Sequence, residues 1–198
     1  MRDDTIGKVR LLILEWRDVT DLIDELGERI EGSYRFDVML GILRGGMIVA
    51  NLLSDALFID EVYPIGIRSY VGMGKRSRMR VYHWPYLRKL RGKRVLIVDD
   101  VADHGKTMMF AVERIKRTSR PSEVRTATIH VKPWSKFIPT YYSSVTSAWI
   151  LYPWSRYENV VVVGRELLRT VGLDQAVEAL SDLQGMEREK VKGLLTRA

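Results

Sequence analysis

The sequence predicts an α/β fold, a mainly parallel twisted sheet flanked by helices, and three observations carry that prediction. Residues 36–41, around Val38-Met39-Leu40, and residues 95–98, Val-Leu-Ile-Val, are apolar without alternation, as strands covered on both faces are. Each is followed within a few residues by glycine (Gly45-Gly46, Gly105) and then by a segment with helical apolar spacing. Strands and helices go on alternating along the chain, the pattern that a parallel sheet with right-handed crossovers requires.

The elements follow in order. Trp16, Val19, Leu22, Ile23, Leu26 and Ile30 fall on one helical stripe over residues 16–30, which Gly32-Ser33 ends. The strand at 36–41 leads to a helix from Gly45 to about Asp55, and then to a strand at 61–67. Residues 68–92 keep no steady period and hold Gly72, Gly74 and a basic run, which predicts a long functional loop. After the 95–98 strand come a helix over 105–117, a break at Pro121 and a strand over 123–131. Short strands are expected at 148–151 and 160–163. Past Gly164 the pattern turns helical: Leu173, Ala176, Val177, Leu180 and Leu183 form one stripe, and Val191, Leu194 and Leu195 suggest another. The expected organisation is a main domain over 1–165 and a C-terminal helical extension over 166–198, for which packing on the core is the simplest role.

Composition narrows the class. A chain of 198 residues suits one domain with a sizeable core, and 46% hydrophobic with 29% charged residues is ordinary for a globular protein. No stretch approaches the about 20 apolar residues a bilayer span needs, and the first residues carry no signal-peptide apolar run. With no cysteine and three scattered histidines (His83, His104, His130), disulfides and zinc-type ligand spacing are excluded. A cytoplasmic location without membrane contact is expected. The net charge of +7 permits nucleic-acid binding without establishing it. Many of the bases fall in Lys75-Arg76-Ser77-Arg78-Met79-Arg80 and just beyond; a solvated basic face explains this, and a mobile basic loop over an anionic ligand explains it more sharply.

Residues 95–107 are the most informative segment. The apolar strand ends in Asp99 and Asp100, Asp103 follows one short turn later, and Gly105, Lys106 and Thr107 open a helix. Backbone N–H groups at a helix N-terminus hold a phosphate, and carboxylates at a strand end hold ribose hydroxyls. Helix capping alone would need one or two acids rather than three. A P-loop is rejected, because it needs a glycine five residues before Gly105 and position 100 is Asp.

The segment resembles the phosphoribosyl diphosphate (PRPP) motif of type I phosphoribosyltransferases, Asp-Asp-x-x-Asp-Thr-Gly-x-Thr after an apolar strand. One position departs: His104 stands where the family usually has Thr. The resemblance implies that Asp99 and Asp100 hold the ribose, with Asp100 also serving a Mg²⁺ site. It implies that Asp103 accepts a proton at purine N7, and that His104, Gly105, Lys106 and Thr107 seat the 5′-phosphate.

Three further pieces fit it. Gly41-Ile42-Leu43-Arg44-Gly45-Gly46 reads by itself as a glycine-rich strand-to-helix turn or as an anion nest with an arginine fork. It resembles the family's pyrophosphate loop, Leu43-Arg44-Gly45, which implies a cis peptide between Leu43 and Arg44. Ser69-Tyr70, ahead of Lys75 and Arg76, looks like the start of the flexible loop of hypoxanthine–guanine enzymes, which closes over PRPP and excludes water.

Lys132-Pro133 and Trp149-Ile150-Leu151-Tyr152-Pro153-Trp154 resemble the purine-pocket segments of xanthine–guanine enzymes. There Lys132 would donate to purine O6, Trp149 would stack on the ring, and the Ile150 backbone would read the far edge. Ser155 stands where an acid usually follows Pro-Trp. Trp134, Phe137, Tyr141 and Tyr142 are expected to form a hood over the base pocket or a subunit interface.

The resemblance covers roughly residues 36–165. It implies the type I phosphoribosyltransferase fold with a small base-pocket hood, and a Mg²⁺-dependent purine salvage enzyme. Such an enzyme takes PRPP and a 6-oxopurine to a nucleoside monophosphate such as GMP, and works as a homodimer or homotetramer. The rival reading is a PRPP- or purine-sensing regulator on the same fold that binds nucleic acid. It is disfavoured because no helix–turn–helix with a basic recognition helix is evident.

Overall fold

The computed structural model describes residues 1–71, 77–84 and 87–196. The chain divides into two compact units, Met1–Val19 with Ser147–Ala198, and Thr20–Thr146. It opens with an antiparallel hairpin, β1 (Arg2–Ile6) and β2 (Val9–Ile13), turned at Gly7. The hairpin is absent from the sequence reading because Arg2, Asp3, Asp4 and Thr5 give β1 no apolar face. Helix α1 (Trp16–Glu31) carries the expected stripe, with Val19, Ile23, Leu26 and Ile30 buried.

The larger unit is built on a six-stranded sheet. Its elements are β3 (Val38–Ile42), α2 (Gly45–Ala56), β4 (Val62–Val71), β5 (Ser77–His83), a 3₁₀ turn at Leu87–Leu90, β6 (Arg94–Ala102), α3 (Lys106–Ser119), β7 (Glu123–Val131) and β8 (Tyr141–Val145). The strand order is β5-β4-β3-β6-β7-β8, parallel except for β5. Every residue of β3 is buried, as the non-alternating apolar pattern requires. One sheet face gives Val38, Leu40, Ile65, Val95 and Ile97 to a core shared with Met108, Ala111 and Ile115 of α3.

The long loop expected over residues 68–92 is corrected: β4 runs on to Val71 and β5 returns antiparallel, pairing Arg68 with Arg80 and Ser69 with Met79. The ladder shifts register between Gly66 and Ile67. A ribbon with cations on facing positions leaves no apolar period to read. Strand β8 also went unread, because Tyr141, Tyr142, Ser143 and Ser144 are only half-buried and Val145 is exposed, which leaves no apolar alternation.

The smaller unit pairs β9 (Trp149–Leu151) in parallel with β2, giving a three-stranded sheet β1-β2-β9. A 3₁₀ turn at Pro153–Ser155 leads into α4 (Arg156–Thr170), then α5 (Leu173–Gln184) and α6 (Arg188–Thr196). The strand expected at 160–163 is therefore helix. Four valines in a row favour a strand locally, but Val160, Val163 and Leu167 at helical spacing join a core with Leu11, Leu151, Leu180 and Val191, and that packing overrides propensity. Among the described residues, no helix is long and apolar enough to cross a membrane.

Candidate functional site

Strand order places the site. From β3 the chain builds outward through β4, then returns to pair β6 on the other side of β3 and continues to β7. Ligands of open parallel sheets bind outside the strand carboxyl ends at such a reversal. The two loops singled out from sequence begin there, on neighbouring strands whose register pairs Gly41 with Val98.

After β3, the peptide bond between Leu43 and Arg44 is cis. Arg44 is exposed and precedes α2, and the Leu43 amide is tied to the Ile65 carbonyl at 2.9 Å. Gly46 lies flat against the end of β6. A Cβ there would stand 2.7 Å from Asp99 Cα and 2.7 Å from the Val98 carbonyl oxygen, closer than packed atoms approach.

Strand β6 extends past residues 95–98 to Ala102, so Asp99 and Asp100 sit within it. The Asp100 amide donates to Asp99 Oδ1 at 3.0 Å and the Val101 amide to Asp100 Oδ1 at 2.8 Å. Burial, and then the neighbouring Asp100 charge, push the Asp99 carboxyl well above the ordinary carboxylate range. Gly105 has φ +73° and precedes α3, whose first helical bond runs from the Met109 amide to the Gly105 carbonyl. The amides just after Gly105 therefore have no acceptor inside the helix, which is the arrangement that takes an anion.

A cavity of about 310 Å³ opens here, lined by Asp99, Asp103, His104, Gly105, Lys106 and Thr107 among others. Six of the seven residues expected to bind PRPP thus share one cavity, and Asp100 does not line it. The donor set also suits Mg²⁺. Among the described residues no cluster of three or more His, Cys, Asp or Glu stands ready for a metal. A magnesium ion shared with substrate phosphates needs only one or two carboxylates, which Asp99 and Asp100 offer.

The β6–β7 register, Ala102 opposite Val131, sets the loop after β6 beside the turn after β7. Lys132, in that turn, is 8% exposed. Burial lowers its pKa, while the Asp103 charge pulls the other way. Trp134 Nε1 donates to Asp103 Oδ1 at 2.8 Å, and His104 Nδ1 lies 3.1 Å from Asp103 Oδ2.

Sequence reasoning expected Trp134, Phe137, Tyr141 and Tyr142 in a hood or a subunit interface and missed the contact of Trp134 with Asp103. Tyr141 sits on β8, with its hydroxyl 2.6 Å from Ser33 Oγ and 2.7 Å from Arg125 Nη1. Phe137 packs against the larger core. The signal available in the sequence was the indole two residues after Lys132.

The remaining expected residues lie apart in sequence. Trp149, 46% exposed, and Ile150, buried, are on β9 in the smaller unit, opposite Leu11 and Leu12. Ser69 and Tyr70 belong to β4. Lys75 and Arg76 lie outside the described residues. Ser155 closes the 3₁₀ turn before α4.

A mainly parallel sheet carries an arginine-bearing loop and an acidic, glycine-ended loop at its reversal point, the place where open sheets of this class bind their ligands. The chain belongs to the phosphoribosyl transferase domain family, which matches residues 12–163. It is 32% identical over 126 residues to a xanthine-guanine phosphoribosyltransferase of Cereibacter sphaeroides, spanning 62% of this chain and 70% of that one. It is 33% identical over 126 residues to a xanthine-guanine phosphoribosyltransferase of Nitratidesulfovibrio vulgaris, spanning 63% and 72%. The crystal structure of a purine phosphoribosyltransferase from Pyrococcus horikoshii is similar with a TM-score of 0.63 at 34% identity, over 73% of this chain and 93% of that one.

Proposed function

We propose that this phosphoribosyltransferase transfers the 5-phosphoribosyl group of PRPP to N9 of a 6-oxopurine, releasing pyrophosphate. The observation that carries the acceptor class is Lys132, an almost buried cation in the turn after β7 that feels the charge of Asp103, which lines the cavity. An ammonium donates and cannot accept, so it favours a 6-oxo group over a 6-amino group. The xanthine-guanine relatives support the same class.

In this reading Asp99 and Asp100 bind the ribose hydroxyls, and His104 to Thr107 seat the 5′-phosphate. Leu43, Arg44 and Gly45 bind the pyrophosphate. Asp103 accepts the proton at N7. Trp149 stacks on the base, and the Ile150 backbone reads its far edge. Ser69, Tyr70, Lys75 and Arg76 belong to a segment that covers PRPP. Mg²⁺, held by Asp100 with the pyrophosphate, would supply charge neutralisation at the leaving group. The family match ends at residue 163, which supports treating 166–198 as an extension. The working unit is a homodimer or homotetramer.

The test is one assay panel: PRPP and Mg²⁺ with guanine, xanthine, hypoxanthine and adenine, following nucleotide by chromatography. Nucleotide from the 6-oxopurines and little from adenine is expected. Adenine used equally well would overturn the acceptor class. Salt-dependent nucleic-acid binding with no nucleotide formed would favour the regulatory alternative.

A further inference from the structure

Asp103 is a short acid on a loop, and its side chain is 54% exposed. Packing alone does not fix where such a carboxylate points. Two nitrogens contact it instead: Trp134 Nε1 donates to Oδ1 at 2.8 Å, and His104 Nδ1 stands 3.1 Å from Oδ2. An indole N–H can only donate, so this bond orients the carboxyl group that accepts it. The face of the same indole lies under Lys132, whose ammonium is 5.7 Å from the ring centroid, within cation–π range.

The backbone supports the arrangement. The Ser135 amide closes the turn onto the Lys132 carbonyl at 2.9 Å, and the Lys136 amide ties that turn to the His104 carbonyl at 3.4 Å. One rigid ring, with only two side-chain torsions, therefore touches both groups that the functional reading above sets against adjacent purine atoms, Asp103 at N7 and Lys132 at O6.

The geometry points to Trp134 as a positioning residue that sets the spacing between Asp103 and Lys132, with His104 as a second hold on Asp103. This inference rests on the functional reading. It accounts for an aromatic residue that is 48% exposed and outside any core. It also gives His104, the departure from the family motif, a role toward the carboxylate rather than only toward phosphate.

The test uses Trp134→Phe, which keeps the ring face and removes the N–H. With PRPP and guanine, kcat should fall about tenfold, as loss of one hydrogen bond to a charged group predicts. The KM for PRPP should be unchanged.

A second readout does not depend on turnover. Among the five tryptophans, the ¹⁵N-indole resonance missing from Trp134→Phe should titrate with Asp103 in the wild-type protein and cease to do so in Asp103→Asn. An indole resonance indifferent to pH, or a Trp134→Phe variant with unchanged kcat, overturns the proposal. Wild-type protein that forms no nucleotide from any purine overturns the functional reading instead. That failure appears before any variant is compared, and the indole titration then still decides whether Trp134 holds Asp103.

Discussion

Gly105→Ala tests whether the loop geometry is as tight as it looks. With φ at +73°, Gly105 occupies the left-handed region, which costs a residue with a Cβ about 1–2 kcal/mol. The added Cβ would also stand 2.5 Å from Phe137 Cβ, 2.8 Å from the Phe137 amide nitrogen and 2.9 Å from Ser135 Oγ. Carbon atoms pack at about 3.5–4.0 Å, so the 135–137 segment would have to retreat by roughly 1 Å. Two of the three obstructing atoms lie on Phe137, one of them backbone, so a side-chain rotation cannot relieve the overlap. Overpacking of this kind costs about 1–3 kcal/mol, giving roughly 2–5 kcal/mol together. At a urea slope of about 2 kcal/mol per molar, the unfolding midpoint should fall by roughly 1–2.5 M. Tryptophan fluorescence against urea measures this directly. A midpoint loss under about 0.5 M would mean that the loop relaxes freely and that the cavity is not preformed.

Three other outcomes are expected. Asp103→Asn should lower turnover about 100-fold or more in the nucleotide-forming assay if Asp103 is the proton acceptor; near-normal turnover removes it from that role. Lys132→Ala should raise the KM for guanine about tenfold or more while PRPP binding, followed by calorimetry, is retained; equal weakening of both ligands would make Lys132 structural. Fully buried His130 is held at about 4, chiefly by burial and then by the Lys132 charge. Below about 6.5 the unfolded chain takes up a proton that the folded chain refuses until about 4, so stability is intact above 6.5 and declines as pH falls through that interval. The unfolding free energy from urea titrations should drop by about 1.6 kcal/mol between pH 6.5 and 5, and His130→Gln should lose that slope; identical slopes would contradict the assignment.

What the sequence revealed followed burial. The strands read at 36–41 and 95–98 and the helix read from Gly105 were legible because both faces of those strands are covered and Gly105 marks the helix start, whereas the half-buried end of β6 to Ala102 was not. The hairpin of β1 and β2 and the β5 half of the β4–β5 ribbon were not, since Arg2, Asp3 and Asp4 in β1 and Arg78, Arg80 and His83 in β5 leave no apolar alternation to read. Val160–Val163 misled for the opposite reason: local β-propensity is strong there, and only contacts with α5 and α6 reveal a helix. Within the site, Asp99, Asp103 and residues 104–107 were readable as a contiguous motif. The Trp134–Asp103 bond joins positions 31 residues apart, and only the Ala102–Val131 register brings them together.

The seat of Gly46 on Asp99 has a consequence for selectivity. Helix α2 cannot lift from β6 without opening that contact, so the loop bearing Arg44 and the acids of β6 are tied at one spacing. With pyrophosphate and ribose bound as proposed above, ligands with the right charges but the wrong span between those groups would be turned away by length, and the freedom lost on binding would be the ligand's own rather than the protein's.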